Sequence, residues 1–148
     1  MFSTSQHSDA PPLTGRCYCS HTRLSASQKP DVVSYCHCNS CRRLSGAPVA
    51  AFAAFAKTTL TITPAPTRAN TVTEGVTRWF CPSCGAAVAA AYDYLPGQIY
   101  VPVGLWAQVE SLEPTTHSHA SSALSWLHLK DDMPRHTGSA RTTLLGDD

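Results

Sequence analysis

Short stretches in which apolar and polar positions alternate, each closed by turn residues, run along most of the chain. Val32–Cys36 (VVSYC), Leu60–Thr63 (LTIT) and Val76–Phe80 (VTRWF) are rich in β-branched and aromatic residues. Such residues fit a pleated, half-buried surface, so these stretches predict strands. Arg16–Cys19 and Thr22–Ala26 predict a first hairpin turning at Ser20-His21. Ala87–Tyr94 and Ile99–Val103 predict two more strands, divided by the turn pair Pro96-Gly97. Val49–Phe55 fits a buried strand, but its alanines also permit helix, and periodicity cannot arbitrate over so short a run. Eleven prolines and eight glycines interrupt the chain too often for long helices. Short helical turns are expected after Cys38 and near Ser121–Leu124. The fold class is therefore mainly β.

Composition narrows this picture. The 148 residues suit one domain, placed at residues 15–136 between a disordered tail at 1–14 and a flexible tail at 137–148. Eleven basic and ten acidic residues give a formal charge of +1, which leaves no electrostatic footprint for nucleic acid or an anionic membrane. The apolar run Val49–Ala56 is far shorter than the roughly 20 residues of a spanning helix. Residues 1–12 lack the basic and apolar regions of a secretory leader, so a reducing, cytoplasmic location is expected.

The seven cysteines change the picture most. Seven is odd, so complete disulfide pairing is impossible, and in a reducing compartment cysteine clusters point to metal or catalysis. Cys81-Pro82-Ser83-Cys84-Gly85 is a C-x-x-C turn that brings two sulfurs onto one ion, with Pro82 and Gly85 shaping the backbone. Redox chemistry of the thioredoxin type needs a strand–helix context that the following strand does not offer. Cys17 and Cys19, two apart on a strand, would face the same way and complete a closed four-thiolate structural zinc site. Cys36, Cys38 and Cys41 then supply three thiolates to a second zinc whose fourth position is open, the mark of a catalytic site. Two alternatives stand beside this: His37 closes the second site, or only one zinc binds and the other cysteines are spare. Arg16, Arg42, Arg43 and Arg78 lie within three residues of a cysteine, where a guanidinium favours the thiolate.

Three motifs occur in order: G-x-C-x-C (Gly15 to Cys19), C-H-C-x-x-C-R (Cys36 to Arg42) and F-C-x-x-C-G (Phe80 to Gly85). Ser45-Gly46-Ala47-Pro48, His117 after Pro114, and Trp126 followed by Met133-Pro134-Arg135 accompany them. Over residues 15–136 the chain resembles the glutathione-dependent formaldehyde-activating enzymes, a group that includes the centromere protein V domain. The resemblance implies a zinc-pinned β-tent of stacked antiparallel sheets. It implies a structural zinc on Cys17, Cys19, Cys81 and Cys84 and a catalytic zinc on Cys36, Cys38 and Cys41, two per chain. It implies a carbon–sulfur lyase that joins glutathione to formaldehyde as S-hydroxymethylglutathione. His37 and His117 are candidates for proton transfer, and Arg42 or Arg43 for holding a substrate carboxylate.

One segment departs from the family pattern. Leu105 is followed by Trp106-Ala107-Gln108, where members usually continue with an acidic position. If that loop borders the site, Trp106 makes the pocket more apolar and the substrate larger; otherwise Trp106 packs on the sheet. Two further functions follow as alternatives: a biosynthetic zinc enzyme acting on a larger metabolite, and a zinc-pinned interaction module without turnover.

Overall fold

The computed structural model describes residues 12–139. Ten strands form two sheets: β1 (Leu13–Arg16), β2 (Arg23–Ala26), β3 (Val32–Cys36), β4 (Ala50–Ala56), β5 (Leu60–Thr63), β6 (Arg68–Asn70), β7 (Val76–Phe80), β8 (Ala87–Tyr92), β9 (Gln98–Pro102) and β10 (Thr116–Ser118). A three-stranded sheet has the order β1-β2-β5, and a seven-stranded sheet has the order β10-β3-β4-β9-β8-β7-β6. The pairs are antiparallel except β10 with β3, which is parallel. The expected stacked antiparallel sheets are present, with that one pair as the exception.

The ambiguous alanine-rich run resolves as strand β4 because it is paired along both edges, by β3 and by β9. Side chains alternate across a strand, and both faces of β4 are covered. Ala53 and Phe55 pack with Leu24 and Ala26 of β2, Val33, Val101 and Trp106. Phe52 and Ala54 pack on the opposite face with Val32, Ala90, Tyr100 and Cys41. The small sheet therefore covers one face of the large sheet, and Cys36, Cys38 and Cys41 lie with the other.

Trp106 belongs to the covered face. It is 2% exposed, and its ring centroid lies 4.9 Å from that of Phe55. Of the two readings of Trp106, packing on the sheet is the one that occurs, and a role in shaping a substrate pocket is not. Gly15 has a physical reason in the same contact. A Cβ there would sit 2.7 Å from the Leu105 carbonyl oxygen and 3.2 Å from the Trp106 ring.

The first strand also shifts. β1 begins at Leu13 and ends at Arg16, so Leu13 and Thr14, read as tail, pair with Ala26 and Ser25. Cys17 and Cys19 consequently lie in the turn rather than on a strand. Residues 1–11 and 140–148, which hold most of the two expected tails, lie outside the described residues. Among the described residues no helix is long and apolar enough to cross a membrane. The helical turn expected after Cys38 is α1 (Asn39–Ser45), and the one near Ser121 is a short 3-10 turn, Ala120–Ser122.

Candidate metal centres and cavity

The turn between β1 and β2 folds back on itself through the Cys17 amide, which donates to the Thr22 carbonyl at 3.0 Å. Ser20 adopts φ 72° there, in the left-handed region. The tight turn achieves by curvature what a strand was expected to achieve by alternation, since the Cys17 and Cys19 sulfurs stand 3.7 Å apart. The knuckle after β7 closes when the Gly85 amide donates to the Cys81 carbonyl at 2.9 Å. Gly85 has φ 79°, a value that favours glycine. Cys19 and Cys81 sulfurs are also 3.7 Å apart. All four ligand atoms of Cys17, Cys19, Cys81 and Cys84 lie within 4.8 Å of one another. Four thiolates at about 2.3 Å around a tetrahedral ion stand roughly 3.8 Å apart, so the set fits such an ion.

Local amides tune this cluster. The Thr22 amide donates to the Cys17 sulfur at 3.3 Å. Burial works to raise the Cys81 thiol, but bonds from Thr22 and from the Cys84 and Ser83 amides prevail and bring it to about 5. A thiol already inclined to ionise is a prepared metal ligand.

The second cluster forms where β3 runs into α1. Cys36 ends β3, and Cys38 is the N-cap of α1, its sulfur accepting from the Cys41 amide at 3.2 Å. Gly46, at φ 74°, ends the helix, and Arg42 and Arg43 occupy its last turn, where cations suit the helix dipole. Cys36 and Cys38 sulfurs are 3.5 Å apart, and the ligand atoms of Cys36, Cys38 and Cys41 lie within 4.8 Å of one another. Hydrogen bonds from Cys36 and then Cys41 bring the Cys38 thiol down to about 2. The bond to Cys38 raises Cys36 to about 11, and bonds to Cys36 and Cys38 raise Cys41. The Cys36 thiol and the Cys41 amide both donate to the Cys38 sulfur. Ligation by all three releases protons and weakens as pH falls.

Among the described residues, no His, Asp or Glu joins this trio as a fourth donor. His37 is turned elsewhere. It is 4% exposed, and its Nε2 lies 2.8 Å from Nδ1 of His117. His117 Nε2 lies 3.1 and 3.2 Å from the two carboxylate oxygens of Asp131. Asp131 is also held by the Met133 amide and by Arg135. Burial opposes ionisation of Asp131, but the Met133 amide, His117 and Arg135 prevail and hold its pKa below the ordinary range. Its stabilising effect is present above the unfolded carboxylate pKa and is lost as pH falls through the lowered one. With Asp131 ionised, His117 Nε2–H donates to its carboxylate. Burial first, then His117, Arg135 and Arg42, lowers the pKa of His37, so it stays neutral. His37 and His117 tie the Cys36–Cys38 loop to β10 and to the segment that follows Asp131.

The trio opens into a cavity of about 240 Å³ on the face of the large sheet away from the small sheet. Phe52, Tyr92 and Tyr100 give it an aromatic lining, joined by Val76, Arg78 and His119. Burial first, and the neighbouring tyrosine and cysteine groups next, raise the pKa of Tyr100 above the ordinary tyrosine value; burial followed by Cys41 does the same for Tyr92. Both remain neutral O–H donors. Arg42 and Arg43 are absent from this wall. Arg42 instead donates to the carbonyls of His37 and Ser122 at 2.7 and 2.9 Å and to the Asn39 side chain. Arg16 donates to the Ser20 hydroxyl in the first turn. The tyrosines were not singled out from sequence. Their one signal was the spacing of Tyr92 and Tyr94, two apart at a strand end.

A mainly β chain with one closed four-cysteine cluster and one three-cysteine cluster open to a cavity defines a small thiolate-cluster protein. Either cluster could hold a metal ion. The chain belongs to the glutathione-dependent formaldehyde-activating enzyme family, whose model matches residues 12–122. Membership links it to glutathione- and formaldehyde-related chemistry and to a small thiol-related substrate. A crystal structure of a Rhodobacter sphaeroides protein is similar in fold. It has a TM-score of 0.50 and 16% identity, over 82% of this chain and 98% of that one. No curated protein matches the chain.

Proposed function

We propose that the protein is a zinc enzyme that forms or cleaves a carbon–sulfur bond between a thiol and a carbonyl carbon, as in S-hydroxymethylglutathione formation. The observation that carries this is the trio Cys36, Cys38 and Cys41, which lacks a fourth described protein donor and faces a cavity. Thiolate-rich donor sets suit zinc. A zinc ion held there supplies a Lewis acid with a free position, which keeps a thiol ionised or polarises a carbonyl oxygen at neutral pH. Cys36, Cys38 and Cys41, which line the cavity, would hold the ion there. Phe52, Val76 and the tyrosine rings exclude water around the reacting atoms, which strengthens polar interactions inside. In the forward direction the sulfur lone pair makes the carbon–sulfur bond, the carbonyl π pair moves to oxygen, and that oxygen takes a proton. Neutral tyrosine hydroxyls in the wall are donors suited to an oxygen that gains charge. His37 acts through position, holding the cysteine loop against His117 and Asp131. In this proposal Cys17, Cys19, Cys81 and Cys84 hold a second, structural zinc that adds folding energy.

Cavity size favours a second substrate range. A water molecule occupies about 30 Å³ of liquid, and a one-carbon aldehyde is of similar scale. The cavity of about 240 Å³ has room for much more. A larger carbonyl compound, or the body of the thiol, fits it better than formaldehyde alone.

Carbon-13 NMR with labelled formaldehyde and glutathione decides between these. The leading proposal expects exchange between free and thiol-bound formaldehyde to accelerate on adding zinc-loaded protein. No acceleration, with turnover of a larger thiol–carbonyl adduct, would favour the second range. No acceleration with any such pair would remove the enzymatic reading.

A further inference from the structure

Arg78 is the group this chemistry leaves unused. It lies on β7 and is 8% exposed. Its Nε is buried without a hydrogen-bond partner. Among the described residues, the ion pairs are those of Asp131 with His117 and with Arg135, so none reaches Arg78. A buried guanidinium with no acceptor is unfavourable, and such groups are found paired. The wall it shares with Cys36, Cys38 and Cys41 contains no Asp, Glu, Lys or second Arg. Tyr92 and Tyr100, kept neutral chiefly by burial, supply no negative charge either. A zinc ion on three thiolates would be net negative and would offset the charge of Arg78. It would not give the planar guanidinium the paired oxygens that its geometry matches.

Resting on the thiol–carbonyl proposal above, the geometry points to Arg78 as the anchor for a carboxylate carried by the ligand. The ligand class is then a carboxylate-bearing thiol or a carboxylate-bearing carbonyl compound, with its reacting end at Cys36, Cys38 and Cys41. The aromatic lining of Phe52, Tyr92 and Tyr100 suits the apolar part of such a ligand. This places at Arg78 the role that the sequence suggested for Arg42 or Arg43.

Calorimetric titration of the zinc-loaded full-length protein with two matched pairs tests it. One pair is 3-mercaptopropionate against 2-mercaptoethanol, and the other is pyruvate against acetone. The acid of at least one pair should bind about tenfold or more tightly than its neutral partner, as a charge-assisted hydrogen bond warrants. The pair that discriminates identifies whether the thiol or the carbonyl compound brings the carboxylate. Arg78→Met should abolish that preference while 2-mercaptoethanol still binds, and Arg78→Lys should keep part of it. Zinc content and melting of each variant confirm that it is folded; should Arg78→Met fail to fold, the wild-type pairs and Arg78→Lys still decide. Equal affinities within both wild-type pairs, or a preference that survives in Arg78→Met, overturns the assignment while thiol binding leaves the proposed chemistry standing. Failure of every thiol to bind the zinc-loaded protein overturns both.

Discussion

Cys84→Ser is expected to leave the protein unfolded or aggregated at 25 °C. Cys84 closes the cluster that joins the β1–β2 turn to the knuckle after β7, and Cys17 and Cys81 of that cluster are fully buried. Structural zinc contributes about 10–16 kcal/mol in zinc-finger peptides. Whole domains are stable by only about 5–15 kcal/mol. Weakening such a site therefore removes a share comparable with the entire stability. Circular dichroism melting with metal analysis provides the check. A cooperative melt near the wild-type temperature, with full metal content, would show that this cluster does not hold the fold together.

Cys38→Ser is expected to behave in the opposite way. Cys38 is both a member of the open trio and the N-cap of α1. Serine is among the best N-cap residues, so the bond to the Cys41 amide has a natural replacement and α1 persists. The third thiolate is lost, and with it the stabilisation that a Lewis acid contributes, several kcal/mol in the transition state. A fall of about a thousandfold in kcat/KM, with a melting temperature within a few degrees of wild type, is the expected pattern. Stopped assays and a thermal melt on the same preparation measure both. Loss of folding in Cys38→Ser would place the trio in the scaffold instead.

Much of this division was legible in the sequence because it depends on short spacings. Cys81 and Cys84 need one turn, and Cys36, Cys38 and Cys41 need a strand end and one helical turn. Such constraints are local, so residue order states them directly. Cys17 and Cys19 show that the same convergence has two solutions: strand alternation was expected, and a tight turn with Ser20 in the left-handed region is what occurs.

The rest depends on contacts distant in sequence. Arg78 stands three residues before Cys81 and was read as its counter-charge. Strand parity separates them: Val76 and Arg78 face the cavity, while Thr77 and Trp79 line a groove on the other face. His37 and His117 are 80 residues apart, and the parallel pairing of β10 with β3 that unites them has no local signature. Trp106 broke a family pattern, which left two readings open: a pocket wall or packing on the sheet. Its actual neighbours, Phe55 and Gly15, come from two other strands. Parallel and long-range pairings of this kind are set by the assembled sheet, not by any one segment.

The central claim is that seven cysteines divide into a closed set of four and an open set of three. Diffraction at the zinc absorption edge tests this most directly. Two anomalous peaks are expected per chain. One should lie among the sulfurs of Cys17, Cys19, Cys81 and Cys84. The other should be bound by Cys36, Cys38 and Cys41, with its fourth ligand a non-protein group in the cavity. A single peak, or a second peak closed by His37 or another side chain, would contradict it.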